Sequence, residues 1–192
     1  MSQAARAFPV AAIIIGAGAG TRFGGPKAIA TLSDGRRFVD AVAQMASDAG
    51  CDPIVAVLPP GVEPPPAVRV VRNARPGAEQ ITSVRLGLAQ LVGTPAIAAL
   101  LWPVDHPFVA LESVLAVLDA ARRTSAPIVI PEMDGRRGHP ALFHRDTWRD
   151  LMTVEDGGAR AVIRAYGDRV AGIAVCDAGV LRDIDTRADL DG

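Results

Sequence analysis

Cysteine is scarce: Cys51 and Cys176 are the two in 192 residues. They cannot build a disulfide framework, and they lack the paired spacing of a zinc site. Both read as small apolar side chains in or near buried strands. A cationic surplus is missing too, since 20 Lys and Arg face 21 Asp and Glu. Neutralising nucleic-acid phosphates needs such a surplus, so a globally basic nucleic-acid binder is disfavoured while a local basic site is not. No apolar run approaches the length of a membrane span; Val10 to Ile15 is far too short and runs into glycines. The N-terminus has no charged region followed by an apolar stretch and a cleavage site, so a cytoplasmic protein without membrane partners is expected. No repeat, charge block or interior linker divides the chain, and one domain over residues 1–192 is expected.

What is present is a globular composition, 49% hydrophobic and 21% charged, arranged as alternating strands and helices. Val10–Ile15 is an unbroken apolar, β-branched run, the pattern of a strand covered on both faces. Pro53–Leu58 and Ile97–Trp102 repeat that pattern. Val68–Val71, Pro127–Pro131, Pro140–Phe143, Val170–Val175 and Val180–Ile184 read as further strands. Phe38–Ala49 is predicted helical, with Phe38, Val42, Met45 and Ala49 on one face. Ile81–Val92, Val114–Ala121 and Gly158–Tyr166 also have helical periodicity. Such alternation predicts an α/β fold with a mostly parallel sheet. Ligands in these sheets sit beyond the carboxyl ends of the strands, at a switch point. Two features fall at such ends: a glycine-rich loop after the first strand, and Asp105 after the strand Ile97–Trp102.

The loop Gly16-Ala-Gly-Ala-Gly-Thr-Arg-Phe-Gly-Gly-Pro-Lys27 is the most informative stretch. Glycines let backbone N–H groups approach phosphate oxygens and allow positive φ. Arg22 and Lys27 add cations matched to a polyphosphate. A Walker A motif is absent, because no Gly-Lys-Ser/Thr occurs. The dinucleotide pattern Gly-x-Gly-x-x-Gly fails as well: Thr21 stands at the third position counted from Gly16, and Phe23 at that counted from Gly18. The looser Gly18/Gly20/Gly24 spacing leaves an NAD(P)-linked oxidoreductase as an alternative, but no acidic residue ends a second strand about 20 residues on to bind ribose.

With Ile15 in front, this loop resembles the Leu-Ala-Ala/Gly-Gly-x-x-x-Arg-x-Gly-x-x-Lys signature of the MobA-like NTP transferases, in particular the molybdopterin cytidylyltransferases. Further matches follow in order. Ile81-Thr-Ser-Val-Arg-Leu-Gly-Leu88 is similar to the family's serine-rich helix start. Pro103-Val-Asp-His-Pro107 is similar to its Asp-x-Pro metal motif. Arg137-Gly-His-Pro-Ala-Leu-Phe143 resembles Gly-His-Pro-x-Leu-Phe. Asp156-Gly-Gly-Ala-Arg160 resembles Gly-Asp-x-Gly-Ala-Arg. Asp183-Ile-Asp-Thr186 with Asp189-Leu190 resembles Asp-Ile-Asp-Thr-Pro-Glu-Asp-Leu. The departures at Gly16, at Glu79–Ser83 and at His106 bear on the base and the acceptor, not on the reaction class.

The resemblance implies a three-layer, Rossmann-like nucleotidyltransferase fold and Mg²⁺-dependent transfer of NMP, with CMP favoured, from an NTP to a phosphorylated acceptor such as the molybdopterin cofactor. A sugar or polyol phosphate acceptor, GTP as donor, and a non-catalytic nucleotide-binding module are its alternatives. The product's recipient would be a molybdoenzyme. The reaction builds negative charge on phosphoryl oxygens and leaving pyrophosphate, so positioned cations do most of the work. Arg22 and Lys27 are expected at the triphosphate, with Asp105 as the third catalytic residue. Ile15, Gly16, Ala17, Gly18, Ala19, Gly20, Thr21 and Ser83 complete the nucleotide site. Asp105 is expected to hold Mg²⁺, with Asp183 or Asp185 as second ligand, since Mg²⁺ takes few carboxylates and keeps several waters. His139 and Arg160 are expected at the acceptor, His106 as a residue orienting its loop, and His144 at the surface.

Overall fold

The computed structural model describes residues 8–75 and 79–190. The N-terminal residues 1–7, part of the segment read as lacking a signal sequence, lie outside the described residues. The first strand, β1 (Val10–Ile15), is buried along its whole length. It pairs in parallel with β2 (Ile54–Leu58) on one side and β4 (Ala98–Pro103) on the other. β3 (Arg69–Arg72) extends the sheet in parallel beyond β2. Past β4 the sheet turns mixed. β7 (Ala141–His144) runs antiparallel to both β4 and β5 (Ile128–Met133). β6 (Arg136–Arg137) folds back on β5, and β8 (Val170–Ala174) adds to β5 in parallel. The main order is therefore β3-β2-β1-β4-β7-β5.

Among the described residues, five α-helices cover this sheet. One apolar cluster joins alternate β1 side chains, Ala12 and Ile14, to α1 (Phe38–Asp48) and α3 (Leu111–Arg123). The other joins Ala11, Ile13 and Ile15 to α2 (Gln80–Ala89), α4 (Trp148–Thr153) and α5 (Gly158–Tyr166). Successive strand residues point to opposite faces, so a strand facing two helical layers must be apolar at every position. This is the three-layer α/β architecture expected from the sequence. No described helix is long and apolar enough to cross a membrane.

Several local expectations need correction. Val180–Ile184 is not a strand. Its buried residues sit in a 3₁₀ turn (Ala178–Val180) and an irregular segment that bonds to loops: His139 N–H donates to the Val180 carbonyl and Ile184 N–H to that of Asp105. Cys176 is exposed, whereas Cys51 is buried, which pushes its thiol up to about 12. The buried face of α1 is broader than the predicted stripe. Val39, Ala41, Ala43 and Ala46 are inside, because small residues let the helix lie close to the sheet. Trp148–Thr153 and the β5–β6 hairpin had no periodic signal of sufficient length.

β1 to β3 proceed outward on one side of β1, and β4 returns to its other side. That reversal is the switch point at which open α/β sheets leave a crevice. Ile15 is opposite Pro103 in the parallel register, so the glycine loop and the Asp105 turn leave the sheet side by side. The helix behind β1 is tightly seated: a Cβ added at Gly87 in α2 would lie 2.4 Å from Cγ2 of Ile13, which is itself fully buried. Gly87→Ala gains about 1 kcal/mol of helix propensity but overpacks a contact that cannot open, at about 1–3 kcal/mol. Urea unfolding is expected to show a net loss, of up to about 2 kcal/mol. An unchanged midpoint would mean that Ile13 has room to shift.

Candidate active site

The loop after β1 is organised around one carbonyl. Gly20 C=O accepts from the N–H groups of Phe23, Gly24 and Gly25 at 3.0, 2.9 and 3.1 Å. Gly20 has φ +58°, and a Cβ there would lie 1.8 Å from the Gly25 carbonyl oxygen, so glycine is required. The fold-back delivers Lys27, at the start of a short 3₁₀ turn, beside the carboxyl ends of β1 and β4. Gly16, buried and bonded to the Val57 carbonyl, anchors the other end of the loop.

Asp105 follows β4, where Val104 N–H donates to the Ile15 carbonyl at 3.0 Å. Asp185 arrives from the far end of the chain. The C-terminal segment is fastened first by Asp177, whose Oδ2 accepts from Ala110 N–H and the Ser113 hydroxyl at the start of α3. Ile184, with no exposure, then bonds to the Asp105 carbonyl at 2.9 Å. Its two neighbours line different cavities: Asp185 the one by the glycine loop, Asp183 a second one.

Four charged groups thus converge. Lys27 Nζ donates to Asp105 Oδ2 at 2.9 Å and to Asp185 Oδ1 at 2.5 Å, and Arg22 Nη2 lies 2.9 Å from Asp185 Oδ2. Lys27 is mostly buried, whereas the Arg22 side chain is 76% exposed. Burial lowers the Lys27 pKa, but hydrogen bonds to Asp185 and Asp105 outweigh it, and the ammonium titrates above its ordinary value. The bond from Lys27 in turn holds Asp185 below the usual carboxylate range. Mutual compensation keeps Lys27 and Asp185 charged in a confined site.

They border a cavity of about 290 Å³ lined by Ile15, Gly16, Ala17, Gly18, Gly20, Thr21, Arg22, Lys27, Ser83, Asp105 and Asp185, together with Gln80, Pro103 and Val104. All the expected nucleotide residues are therefore together except Ala19, which is exposed and does not line the cavity. The Ser83 hydroxyl accepts from Asn73 Nδ2 at 3.1 Å, which leaves its own proton free to donate. Gln80 and the buried Asn73 escaped the sequence reading. Gln80 falls within the Glu79–Ser83 departure, one helical turn before Ser83, with no role attached to it; Asn73 has no motif and follows β3 beside the site.

A second cavity, of about 850 Å³, adjoins the first and shares Ile15, Gln80, Pro103 and Asp105 with it. Leu101, Ile130, Ala141, Phe143 and Ile163 give it an apolar wall. Its polar groups are His106, His139, Asp183, Arg137, Arg160 and Arg164. His139 and Arg160 thus lie together as expected, whereas Arg137, Arg164 and His106 were not predicted to line a cavity. The His106 and His139 rings are 4.6 Å apart, and neither Nδ1 has a hydrogen-bond partner among the described residues. Burial, reinforced by His106, lowers His139 to about 4, and burial also lowers His106, so both are neutral near pH 7. His144 is half-buried at the end of β7, away from both cavities.

Known proteins match both the sequence and this arrangement. The MobA-like NTP transferase domain matches residues 12–170. The probable molybdenum cofactor guanylyltransferase of Mycobacterium avium (strain 104) is 29% identical over 193 residues, covering 94% of this chain and 93% of that protein. A protein of the same name from Mycolicibacterium paratuberculosis is equally similar. Both are named for guanylyl transfer, whereas the motifs pointed toward cytidylyltransferases. The crystal structure of Rv0371c from Mycobacterium tuberculosis H37Rv superposes with a TM-score of 0.79 at 25% identity, covering 96% of each chain. The 2-C-methyl-D-erythritol 4-phosphate cytidylyltransferase of Thermus thermophilus shares the fold, with a TM-score of 0.70 at 22% identity over 95% of this chain and 96% of that one. With the domain match spanning most of the chain and the switch-point cavity built from the family's own motifs, the chain belongs to the MobA-like NTP transferase family and is a nucleotidyltransferase.

Proposed function

We propose that this chain, as one domain over residues 1–192, transfers a nucleoside monophosphate from an NTP to a phosphorylated acceptor of the molybdopterin class, releasing pyrophosphate, with Mg²⁺ as its ion. The observation that carries the proposal is Lys27 held between Asp105 and Asp185 where the two cavities meet. The smaller cavity suits a nucleotide and the larger, half-apolar one a bulky acceptor with an anionic end. The relatives' names support a molybdenum cofactor acceptor. The product would pass to a molybdoenzyme.

The donor set fits the ion. Asp105 and Asp185 bring carboxylate oxygens to a single point, and hard oxygen donors, few in number, are what Mg²⁺ takes. A structural neighbour of the same fold is described in complex with manganese, which supports a divalent ion at this fold's site. Bound there, the ion would neutralise charge on the phosphate oxygens. Asp183, facing the other cavity, is the weaker candidate for ligand.

The chain's own residues do the rest. Backbone N–H groups of the glycine loop receive the triphosphate. Its oxygens compete with Asp105 and Asp185 for Lys27 and Arg22, which move onto the α-phosphoryl group and the leaving pyrophosphate. The acceptor phosphate, with a second pKa of about 6, is already ionised and needs no general base. One of its oxygens attacks the α-phosphorus, the new P–O bond forms, and the bond to the β-phosphate oxygen breaks. His139 and Arg160 hold the acceptor so that this attack is in line. Arg22→Ala and Lys27→Ala are each expected to cut turnover by about 10²–10³-fold, the scale of losing one transition-state charge stabiliser. Asp105→Asn keeps the shape but loses the charge, so Mg²⁺-dependent turnover should vanish while circular dichroism stays native. Wild-type pyrophosphate release in any of the three removes that residue from the mechanism.

The base read at this site is proposed to be cytosine. The Ala17 methyl narrows the wall of a cavity of about 290 Å³, which favours one ring over two. The relatives' guanylyltransferase names favour GTP as a second reading. One methyl discriminates by about 1–3 kcal/mol, or about 10–200-fold. Four NTPs assayed against molybdopterin, sugar-phosphate and polyol-phosphate acceptors, with pyrophosphate as readout, decide donor and acceptor together. A CTP preference in kcat/KM that shrinks in Ala17→Gly is expected; a wild-type preference for GTP gives the second reading.

A further inference from the structure

One residue of the C-terminal family motif has no part in the mechanism above: Asp189. It lines neither cavity, so it does not touch a substrate there. Yet, like that of Asp177, its carboxylate accepts three hydrogen bonds. Oδ2 accepts from Asp185 N–H at 3.0 Å, from Thr186 N–H at 2.6 Å and from the Thr186 hydroxyl at 3.0 Å. Its backbone carbonyl accepts from Arg182 Nη2 at 2.7 Å, and the Arg182 guanidinium lies 4.4 Å from the centre of the Phe108 ring. Phe108 continues the turn that begins at Asp105.

We infer that Asp189 is a positioning residue that sets Asp185 against Asp105 through the Asp185 and Thr186 backbone. The inference rests on the reading of Asp105 and Asp185 as the pair that holds the ion. Residues 182–185 belong to no helix or strand, so nothing regular fixes their torsions. On the N-terminal side of Asp185 the anchor is buried Ile184, bonded to the Asp105 carbonyl. On the C-terminal side it is Asp189. Without it, the Asp185 N–H and both Thr186 donors lose their common acceptor, and Asp185 keeps one anchor instead of two. Its side chain would then follow the exposed Arg22 instead of staying beside Asp105 at Lys27. The hydrogen bonds from Thr186 hold Asp189 below the usual carboxylate range, so it stays an anionic acceptor at neutral pH.

The test is Mn²⁺ affinity, read by electron paramagnetic resonance of free Mn²⁺ during titration of the full-length protein. Groups that orient metal ligands typically affect affinity by about 10–100-fold, and Asp189→Ala is expected to weaken Mn²⁺ binding by that factor. Asp189→Asn retains a side-chain oxygen acceptor and should remain within about threefold of wild type. Asp185→Asn should weaken Mn²⁺ binding by itself, and adding Asp189→Ala to it should weaken binding no further, because the residue to be positioned is already gone. A loss of fold would act equally in both backgrounds, so this non-additivity separates positioning from general stability. Wild-type Mn²⁺ affinity in Asp189→Ala, or the same loss in both backgrounds, overturns the role of Asp189. Wild-type affinity in Asp185→Asn would instead remove Asp185 from the ion, and the two-carboxylate reading would fall with it.

Discussion

The parallel pairing of β1 with β4 is the constraint on which the site depends. Each strand is apolar at every position because helices cover both faces, so neither can slip by one residue without moving its side chains to the opposite layer. The register places Ile15 opposite Pro103. From that pairing two chain segments with different chemistry leave the sheet next to one another. One supplies amides and two cations; the other supplies a carboxylate. Their closeness needs no special contact between them, since it follows from strand order and register.

Charge balance explains how the site holds its shape. Two cations and two carboxylates share one small cavity, and each is paired. An isolated charge there would lose hydration without compensation. Lys27, the least exposed of the four, sits between both acids, whereas Arg22 pairs with one and stays mostly in solvent. In the proposed reaction the same four groups change partners. That is a cheaper rearrangement than creating a charged site on demand, because no group has to be desolvated anew.

Much of this was legible in the sequence. The buried strands announced themselves through runs without polar alternation, and the loop through its glycines, Arg22 and Lys27. The ordered motifs carried the family, which the domain match bears out over residues 12–170. What could not be read was long-range or non-repetitive. Val180–Ile184 has the composition of a strand, but its donors and acceptors go to the Asp105 turn and to His139, which only the folded chain brings near. Asn73 looks like an ordinary strand-end residue until its amide is seen on Ser83. The three arginines of the second cavity come from a hairpin and a helix, with no spacing to connect Arg137 to Arg160 and Arg164. Cys176 lies next to a strand yet faces solvent: among the described residues β8 pairs with β5 alone and forms an edge.

Ile184 links the two cavities. It has no exposed surface and packs in the cluster that also holds α1 and α3, so its position is set by the core rather than by any ligand. Its two neighbours, Asp183 and Asp185, line one cavity each. A single buried aliphatic side chain thereby fixes one carboxylate for each of two adjoining sites, with the Asp105 carbonyl as its hydrogen-bonded stop. Shifting this segment by one residue would bury a carboxylate and expose the isoleucine. The penalty for burying an unpaired charge is what keeps the segment in register where no sheet ladder does so.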